Sequence, residues 1–126
     1  MALQTLEAFM KGTGRGNAYV TFPGFKGLYI RRNPRFIRNL DIIAEPTIDI
    51  ANLTAKKPGK GAFTHLFQHL RKEYPHLWIF VECVVNERFA AKLLRMGFVQ
   101  CTDDFAPSFY MPPEKPHEVH RIDEES

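Results

Sequence analysis

A short basic loop at residues 56–61, with the sequence Lys-Lys-Pro-Gly-Lys-Gly, has the composition of an anion-binding site. It follows a predicted strand and precedes a predicted helix. Backbone N–H groups at a helix N-terminus, with lysine side chains around them, suit a phosphate group. The loop therefore indicates a phosphorylated ligand.

Glu82 is the second residue that could do chemistry, because it lies in the apolar sequence Trp-Ile-Phe-Val-Glu-Cys-Val-Val at residues 78–85. This run predicts a strand that is buried on both faces near the centre of a sheet. An isolated buried charge is costly, so the Glu82 carboxylate must be paired, hydrogen-bonded or raised in pKa.

Two other patterns indicate less. Residues 12–16 (Gly-Thr-Gly-Arg-Gly) follow a predicted helix and precede a predicted strand, the reverse of a phosphate-binding turn, so we expect a simple turn. His65 and His69 have the i, i+4 spacing of zinc ligands. Because no third ligand or glutamate completes that motif, we expect no metal site.

The elements that must position the loop and Glu82 follow from hydrophobic periodicity and from turn residues. The predicted strands are residues 18–22, 27–32, 36–44, 47–55, 78–85, 98–101 and 108–111. The predicted helices are residues 3–11, 62–74 and 86–96. Asn86 is the expected N-cap of the last helix, and Phe89, Ala90, Leu93 and Leu94 are its expected inward face.

Length and composition predict one domain. We assign residues 1–113 of the 126 to it and expect residues 114–126, which are polar and without pattern, to form a disordered acidic tail. No apolar run reaches the roughly 18–20 residues of a membrane span, and we find no signal-peptide pattern. Cys83 and Cys101 lie in predicted strands and are expected to be buried, reduced thiols, so we predict a cytoplasmic protein.

Charge is distributed unevenly along the chain. Residues 1–40 contain seven lysines and arginines against one acid, Glu7, and the balance is reversed after residue 103. The basic half could attract an anionic partner, and we expect residues 31–38 to be the place that binds an acidic partner group or a ligand phosphate. The alternative is that these side chains form an ordinary solvated face, and a nucleic acid is a less favoured partner.

Two segments resemble a known family. Residues 53–70 (LTAKKPGKGAFTHLFQHL) and residues 86–98 (NERFAAKLLRMGF) are similar to the acetyl-CoA loop and to the Gly-Phe segment of GCN5-related N-acetyltransferases (GNAT). The resemblance covers about residues 18–111, and short acetyltransferase-like proteins of tailed phages look most similar. It implies an α/β (α+β) GNAT fold, with a central mixed, mostly antiparallel sheet of six to seven strands flanked by about three helices.

The resemblance also implies a site for acetyl-CoA. Either Lys56 or Pro58 can be aligned with the first position of the family's loop signature, and the second alignment keeps the apolar residues of the helix in register. The strands at residues 49–55 and 78–85 would hold the pantetheine arm between them. The implied acetyl-CoA-binding residues are Leu53, Thr54, Ala55, Lys57, Gly59, Lys60, Gly61, Ala62, Phe63, Thr64 and Asn86.

The catalytic residues that the resemblance implies are less complete. Leu93 stands where the family often has a tyrosine acid, so Tyr110 or Cys101 would have to replace it. Glu82 and Asp49 are the candidate general bases. Asp49 could instead be a solvent-facing strand residue, and Glu82 could instead make a structural hydrogen bond to Arg88 or to the N-terminal hairpin.

The expected function is direct transfer of acetyl from acetyl-CoA to an amine on a protein, a small molecule or an aminoacyl nucleic acid. The alternative is a GNAT-fold binding protein without turnover, such as a phage factor that binds a host protein. The sequence leaves the oligomeric state open, a dimer included, and gives no indication of membrane binding.

Overall fold

The structure is a computed structural model that describes residues 4–12, 16–101 and 107–115. The predicted tail therefore lies almost wholly outside the described residues. The strands are β1 (Gln4–Thr5), β2 (Asn17–Thr21), β3 (Phe25–Arg31), β4 (Arg35–Ile37), β5 (Ile42–Ala44), β6 (Thr47–Ala55), β7 (Trp78–Val81), β8 (Val99–Gln100) and β9 (Phe109–Met111). The helices are α1 (Leu6–Met10), α2 (Ala62–Glu73) and α3 (Glu87–Met96).

Seven strands form one mixed sheet in the order β1-β2-β3-β6-β7-β9-β8. The β1–β2 and β6–β7 pairs are parallel, and the other four pairs are antiparallel. This confirms the predicted α+β class, with a mostly antiparallel sheet and three helices. The strand expected at residues 78–85 is confirmed over its first half, because β7 lies between two other strands and Ile79, Phe80 and Val81 are buried. The second half was expected to be buried as well and is not: β7 ends at Val81, and Val85 is 82% exposed.

The three helices share one apolar core with alternate residues of the strands. Helix α2 contributes Phe63, Leu66 and Leu70, the predicted stripe that recurs once per helical turn. Helix α3 buries Leu93 completely, with Phe89 and Ala90 packed beside it. Leu94 was expected to face inward and does not: it lies further around the helix and is 52% exposed.

The segment expected as one extended piece at residues 36–44 is instead a hairpin. Residues 38–41 form a turn, and β4 pairs with β5 as a separate two-stranded sheet. Ile37 and Ala44 pack on Phe80 and Tyr110, which alternate along their strands with residues of the main core. The hairpin therefore covers the sheet face opposite the helices.

Candidate functional site

Strand β6 pairs with the parallel strand β7 only over its first half, Thr47 to Ile50, and β7 ends where this pairing stops. Their register runs from Thr47 opposite Trp78 to Ile50 opposite Val81, and Glu82 then donates its N–H to Ile50 O at 3.1 Å. In the pairing of β6 with β3, Tyr29 faces Asn52 and Ile30 faces Ile50, so Ala51 is an extra residue in β6. Such a bulge bends a strand, and here it lies where the two strands separate.

A cavity of about 900 Å³ fills the space between the separated segments, residues 51–55 and 82–86. It extends to the residue 56–61 loop and to the first turns of α2 and α3. The predicted site residues that line it are Leu53, Thr54, Ala55, Lys57, Gly59, Gly61, Ala62, Phe63, Glu82 and Asn86. The structure thus brings together residues from five segments of the chain.

The residue 56–61 loop leads into α2 with its backbone exposed. Gly59 and Gly61 have φ of 81° and 82°, left-handed values that favour glycine, and Gly61 caps α2 without a side-chain hydrogen bond. His65 is the first residue whose N–H bonds back within the helix, to Gly61 O at 3.0 Å. The N–H groups of residues 62–64 therefore lack intrahelical acceptors, and the first turn of α2 carries no acid.

Lys60 and Thr64 are the two predicted loop residues that do not line the main cavity. Lys60 lines a smaller neighbouring depression with Lys56 and His65, and its N–H donates to Lys57 O at 3.3 Å. Thr64 is half-buried in the first turn of α2. For an anion in the main cavity, the available backbone donors are therefore at the helix start and not at Lys60.

Asn86 has the capping role that the sequence predicts. Its Oδ1 accepts a hydrogen bond from the Phe89 N–H at 3.0 Å, and the residue also lines the cavity. The cap uses only the amide oxygen, so the Asn86 Nδ2 group keeps two donors for another partner. Capping and ligand contact are therefore compatible at this residue.

Asp49 and Glu82 form a charged cluster with two arginines at the point of separation. Asp49 is only 2% exposed, so it is not a solvent-facing strand residue. Arg35 Nη1 lies 2.7 Å from Asp49 Oδ2 and 3.2 Å from Glu82 Oε2, and Arg31 Nη1 lies 3.6 Å from Glu82 Oε2. Arg88 and the N-terminal hairpin were the two predicted structural partners of Glu82. The hairpin does contact Glu82, through Arg31 on β3.

The surroundings shift the pKa values of the two carboxyl groups in opposite directions. Burial, a hydrogen bond with Glu82 and the Glu82 charge raise the pKa of Asp49 from 3.8 to about 8, against the opposing effect of Arg35. Burial also acts to raise the pKa of Glu82, but the hydrogen bond with Asp49 and the charges of Arg35 and Arg31 outweigh it and lower that pKa. The surroundings therefore favour a protonated Asp49 beside an ionised Glu82 near neutral pH.

An unpartnered oxygen agrees with the raised pKa of Asp49. Asp49 Oδ1 is fully buried and has no hydrogen-bond partner among the described residues. A buried charge without a compensating donor is costly, so this environment favours the neutral, protonated carboxyl. Because only Glu82 lines the cavity, it is the member of the pair that a substrate could reach.

The candidate acids do not reach the cavity. Tyr110 is 3% exposed and packs against Phe80 and Trp78 under the β4–β5 hairpin, so it does not line the cavity with Glu82. Cys101 packs against the same cluster. Leu93, at the position where a tyrosine was looked for, is wholly enclosed in the core.

Cys83 was expected to be a buried thiol in a strand, and that prediction is wrong. Strand β7 ends at Val81, and Cys83 has a left-handed φ of 54° that takes it out of strand geometry. The side chain is exposed and lines the cavity. Cys101 is half-buried.

The sequence reasoning missed two basic residues of the cavity wall. Arg88 and Lys92 lie four residues apart on α3, and both line the cavity. Their i, i+4 spacing on the helix that begins at Asn86 was the available signal. Beside them, Phe89 makes an edge-on contact with Phe63, with ring centroids 5.1 Å apart, which joins α2 to α3 at the cavity wall.

The basic segment at residues 31–38 is largely occupied inside the protein. Arg32 is 8% exposed and donates to the backbone oxygens of Thr47 and Met10. Arg35 donates to the carboxyl groups of Asp49 and Glu82. Arg31 also pairs with Glu82, so at least three of the four arginines contact structural partners, which weakens the case for a nucleic-acid surface there.

His65 and His69 lie beside Phe22, and His69 also bonds to Glu7 at 3.0 Å. Within residues 4–12, 16–101 and 107–115, no group of three or more His, Cys, Asp or Glu side chains is placed to hold a metal ion. Over the same ranges, no helix combines the length and apolarity that a membrane crossing requires.

Comparisons of the chain with protein-family profiles, with curated proteins and with solved structures found no match. A functional proposal therefore depends on the geometry of the cavity and on the residues that line it.

Proposed function

We propose that this chain has a GNAT-type fold and transfers acetyl from acetyl-CoA to an amine. The observation that carries the proposal is the separation of the parallel pair β6–β7 at the Ala51 bulge, with a cavity between the two segments. A strand edge without a partner offers backbone groups to an extended ligand that contains amides. The pantetheine arm of acetyl-CoA is such a ligand.

The charged end of acetyl-CoA fits the other end of the cavity. The unbonded N–H groups at the start of α2 and the Lys57 side chain suit a diphosphate. Hydrogen bonds to charged groups contribute about 1.5–3 kcal/mol each. Arg88 and Lys92 add positive charge to the lining of the same cavity.

The Asp49–Glu82 pair supplies a proton acceptor where the strands part. As the amine nitrogen bonds to the acetyl carbon, the carbon–sulfur bond of acetyl-CoA breaks, and the amine proton passes to Glu82 and Asp49. The departing thiolate takes its proton from water. Because Asp49 keeps its own proton below about pH 8, the pair gains its full basic strength only as the pH rises toward that value.

A second function, binding without turnover by a phage-type host-interaction factor, is favoured by one observation. The described residues bring no tyrosine to the cavity wall, because Leu93 is enclosed in the core and Tyr110 lies under the hairpin. In that case, acetyl-CoA would be a bound ligand, or the cavity would serve a host protein.

The test combines binding with turnover. We expect acetyl-CoA and CoA, but not ATP at the same concentration, to raise the melting temperature by mass action. We then expect release of free CoA thiol with a panel of amines. No thermal shift with either CoA compound would contradict the acetyl-CoA site, whereas a shift without thiol release on any amine would favour the binding protein.

A further inference from the structure

Arg35 contacts both members of the carboxyl pair through one nitrogen. Its Nη1 lies 2.7 Å from Asp49 Oδ2 and 3.2 Å from Glu82 Oε2, and the guanidinium carbon lies 4.6 Å from the centre of the Phe80 ring. A cation over an aromatic face gains further attraction, and the planar ring restricts its orientation. The arginine is therefore fixed on three sides.

The hairpin that carries Arg35 is itself anchored to the sheet. Arg35 is the first residue of β4, and Ile37 and Ala44 of the same hairpin are buried on Phe80 and Tyr110. At its turn, Asn39 Nδ2 donates to Gln100 O at 3.1 Å. The position of the guanidinium thus depends on the docking of a separate two-stranded layer.

The charges around the pair explain why a bridge is needed. Asp49 from β6 and Glu82 from the end of β7 meet in a region where two ionised carboxylates repel strongly. Two cations face them, Arg35 from β4 and Arg31 from β3. The Arg31 contact is the longer one, at 3.6 Å from Nη1 to Glu82 Oε2, and the Arg31 side chain is 44% exposed. Arg35 is the cation that reaches both carboxyl groups.

We infer that Arg35 is a positioning residue that holds Asp49 and Glu82 together as a single proton acceptor at the edge of the cavity. The inference rests on the proposed function for its role in acetyl transfer. It adds that the β4–β5 hairpin, which does not line the cavity, sets the pH range over which the acceptor works.

The direct test follows the Asp49 carboxyl carbon by NMR over pH 4–10, with ¹³C-labelled aspartate and no acetyl-CoA present. In Arg35→Gln, we expect the titration of Asp49 to move upward by about one pH unit or more, because the nearest positive charge is gone. In the control variant Arg31→Gln, we expect a smaller shift. An Asp49 titration that is the same in wild type and Arg35→Gln would overturn the inference.

Activity gives a second readout that a purely structural role would not change in this way. We expect kcat/KM of Arg35→Gln to fall about tenfold at pH 7 and to recover as the pH rises, since about one pH unit changes the ionised fraction tenfold. Arg35→Lys keeps the charge and should restore most of the loss. A loss that is equal at every pH, or no rescue by lysine, would contradict the assignment.

The outcomes separate this inference from the proposed function. An NMR shift in a protein that transfers no acetyl would keep the bridged pair and overturn acetyl transfer. Transfer with no NMR shift would keep the enzyme and overturn the role of Arg35. If Arg35→Gln does not fold, Arg35→Lys should still raise the Asp49 titration by a smaller amount, because the shorter lysine side chain holds its charge farther from the two carboxyls. An Asp49 titration equal to that of wild type would then overturn the inference.

Discussion

Residues 47–50 and 78–81 differ in pairing and in exposure from the segments that follow them, residues 51–55 and 82–86. Residues 47–50 and 78–81 are joined in a parallel ladder and are mostly buried. Residues 51–55 and 82–86 continue the same two segments but part around the cavity, and several of their side chains are exposed. One half holds the fold together, and the other offers backbone and side-chain groups to a ligand.

The boundary between the halves concentrates the unusual features. The buried Asp49 lies opposite Phe80 in the β6–β7 pair. A few residues beyond this pair come the Ala51 bulge on one strand, and the end of β7 at Val81 and the left-handed Cys83 on the other. A chain that must leave regular pairing often does so beside a functional site. The comparison therefore places the candidate chemistry at the point where pairing stops.

The largest expected effect separates the halves by stability. Ile79 is fully buried in the paired half, and Val85 is 82% exposed in the separated half. Ile79→Ala should lower the free energy of unfolding by about 3 kcal/mol, because it removes buried methyl groups and leaves a cavity. Val85→Ala should change it by less than about 0.5 kcal/mol. Chemical denaturation measures both, and similar losses would contradict the division.

The next prediction concerns the buried carboxyl at the boundary. Because the folded pKa of Asp49 is raised from 3.8 to about 8, the folded state holds a proton that the unfolded state releases. This stability contribution is complete below about pH 4 and is lost as the pH rises toward 8. Between pH 5 and 7, the loss should be on the order of 2 kcal/mol.

Asp49→Asn should flatten that dependence. The measurement is the free energy of unfolding of wild type and variant at several pH values, with the change in slope as the readout. The depressed pKa of Glu82 acts in the opposite direction at lower pH, below its ordinary value of 4.5, so it does not mask the effect. Parallel slopes for wild type and Asp49→Asn would rule out a proton held on Asp49.

A bulky side chain in the separated half should obstruct the ligand. Gly59 lines the cavity and has a φ of 81°. Gly16, at the opposite end of β3 from the loop, is the control and has a φ of 106°. A Cβ at either position meets no atom within 4 Å. Gly59→Trp and Gly16→Trp should therefore carry similar backbone strain. Only Gly59→Trp should weaken acetyl-CoA binding, by at least about tenfold or 1.4 kcal/mol, in calorimetric titration. Equal affinities would place the ligand elsewhere.

The smallest effect separates the two roles of Asn86. Asn86→Ala removes the cap of α3, so it should lower the free energy of unfolding by about 1 kcal/mol. It should also weaken acetyl-CoA binding. Asn86→Ser keeps a capping oxygen but lacks the amide donors, so we expect near-normal stability and weakened binding. If Asn86→Ser binds as tightly as wild type, the residue is a cap only.

Much of the fold could be predicted from local pattern. The helix predicted at residues 62–74 and the Asn86 cap depend on neighbours in sequence, and both are confirmed, the helix to within one residue. The strand predicted at residues 78–85 is confirmed only over residues 78–81. The residue 56–61 loop was placed correctly at a helix start for the same reason. Because these elements were assigned correctly, most of the predicted binding residues do line the cavity.

The parts that depend on tertiary docking could not be predicted. Nothing local shows that residues 35–44 fold as a hairpin on the far face of the sheet, so the contact of Arg35 with Asp49 and Glu82 was missed. The same hairpin covers Tyr110, which a linear reading placed at the cleft. Cys83 was misread because its left-handed backbone ends a segment whose composition still favours a strand.

The most direct test of the acetyl-CoA site is a titration of the ¹⁵N-labelled protein with acetyl-CoA, followed through its backbone amide resonances. We expect the largest shifts at residues 51–55, 59–64 and 82–86, with little change at residues 47–50 and 78–81. Shifts confined to the hairpin or to other surfaces, or no shifts at millimolar acetyl-CoA, would contradict a ligand held between the separated strands.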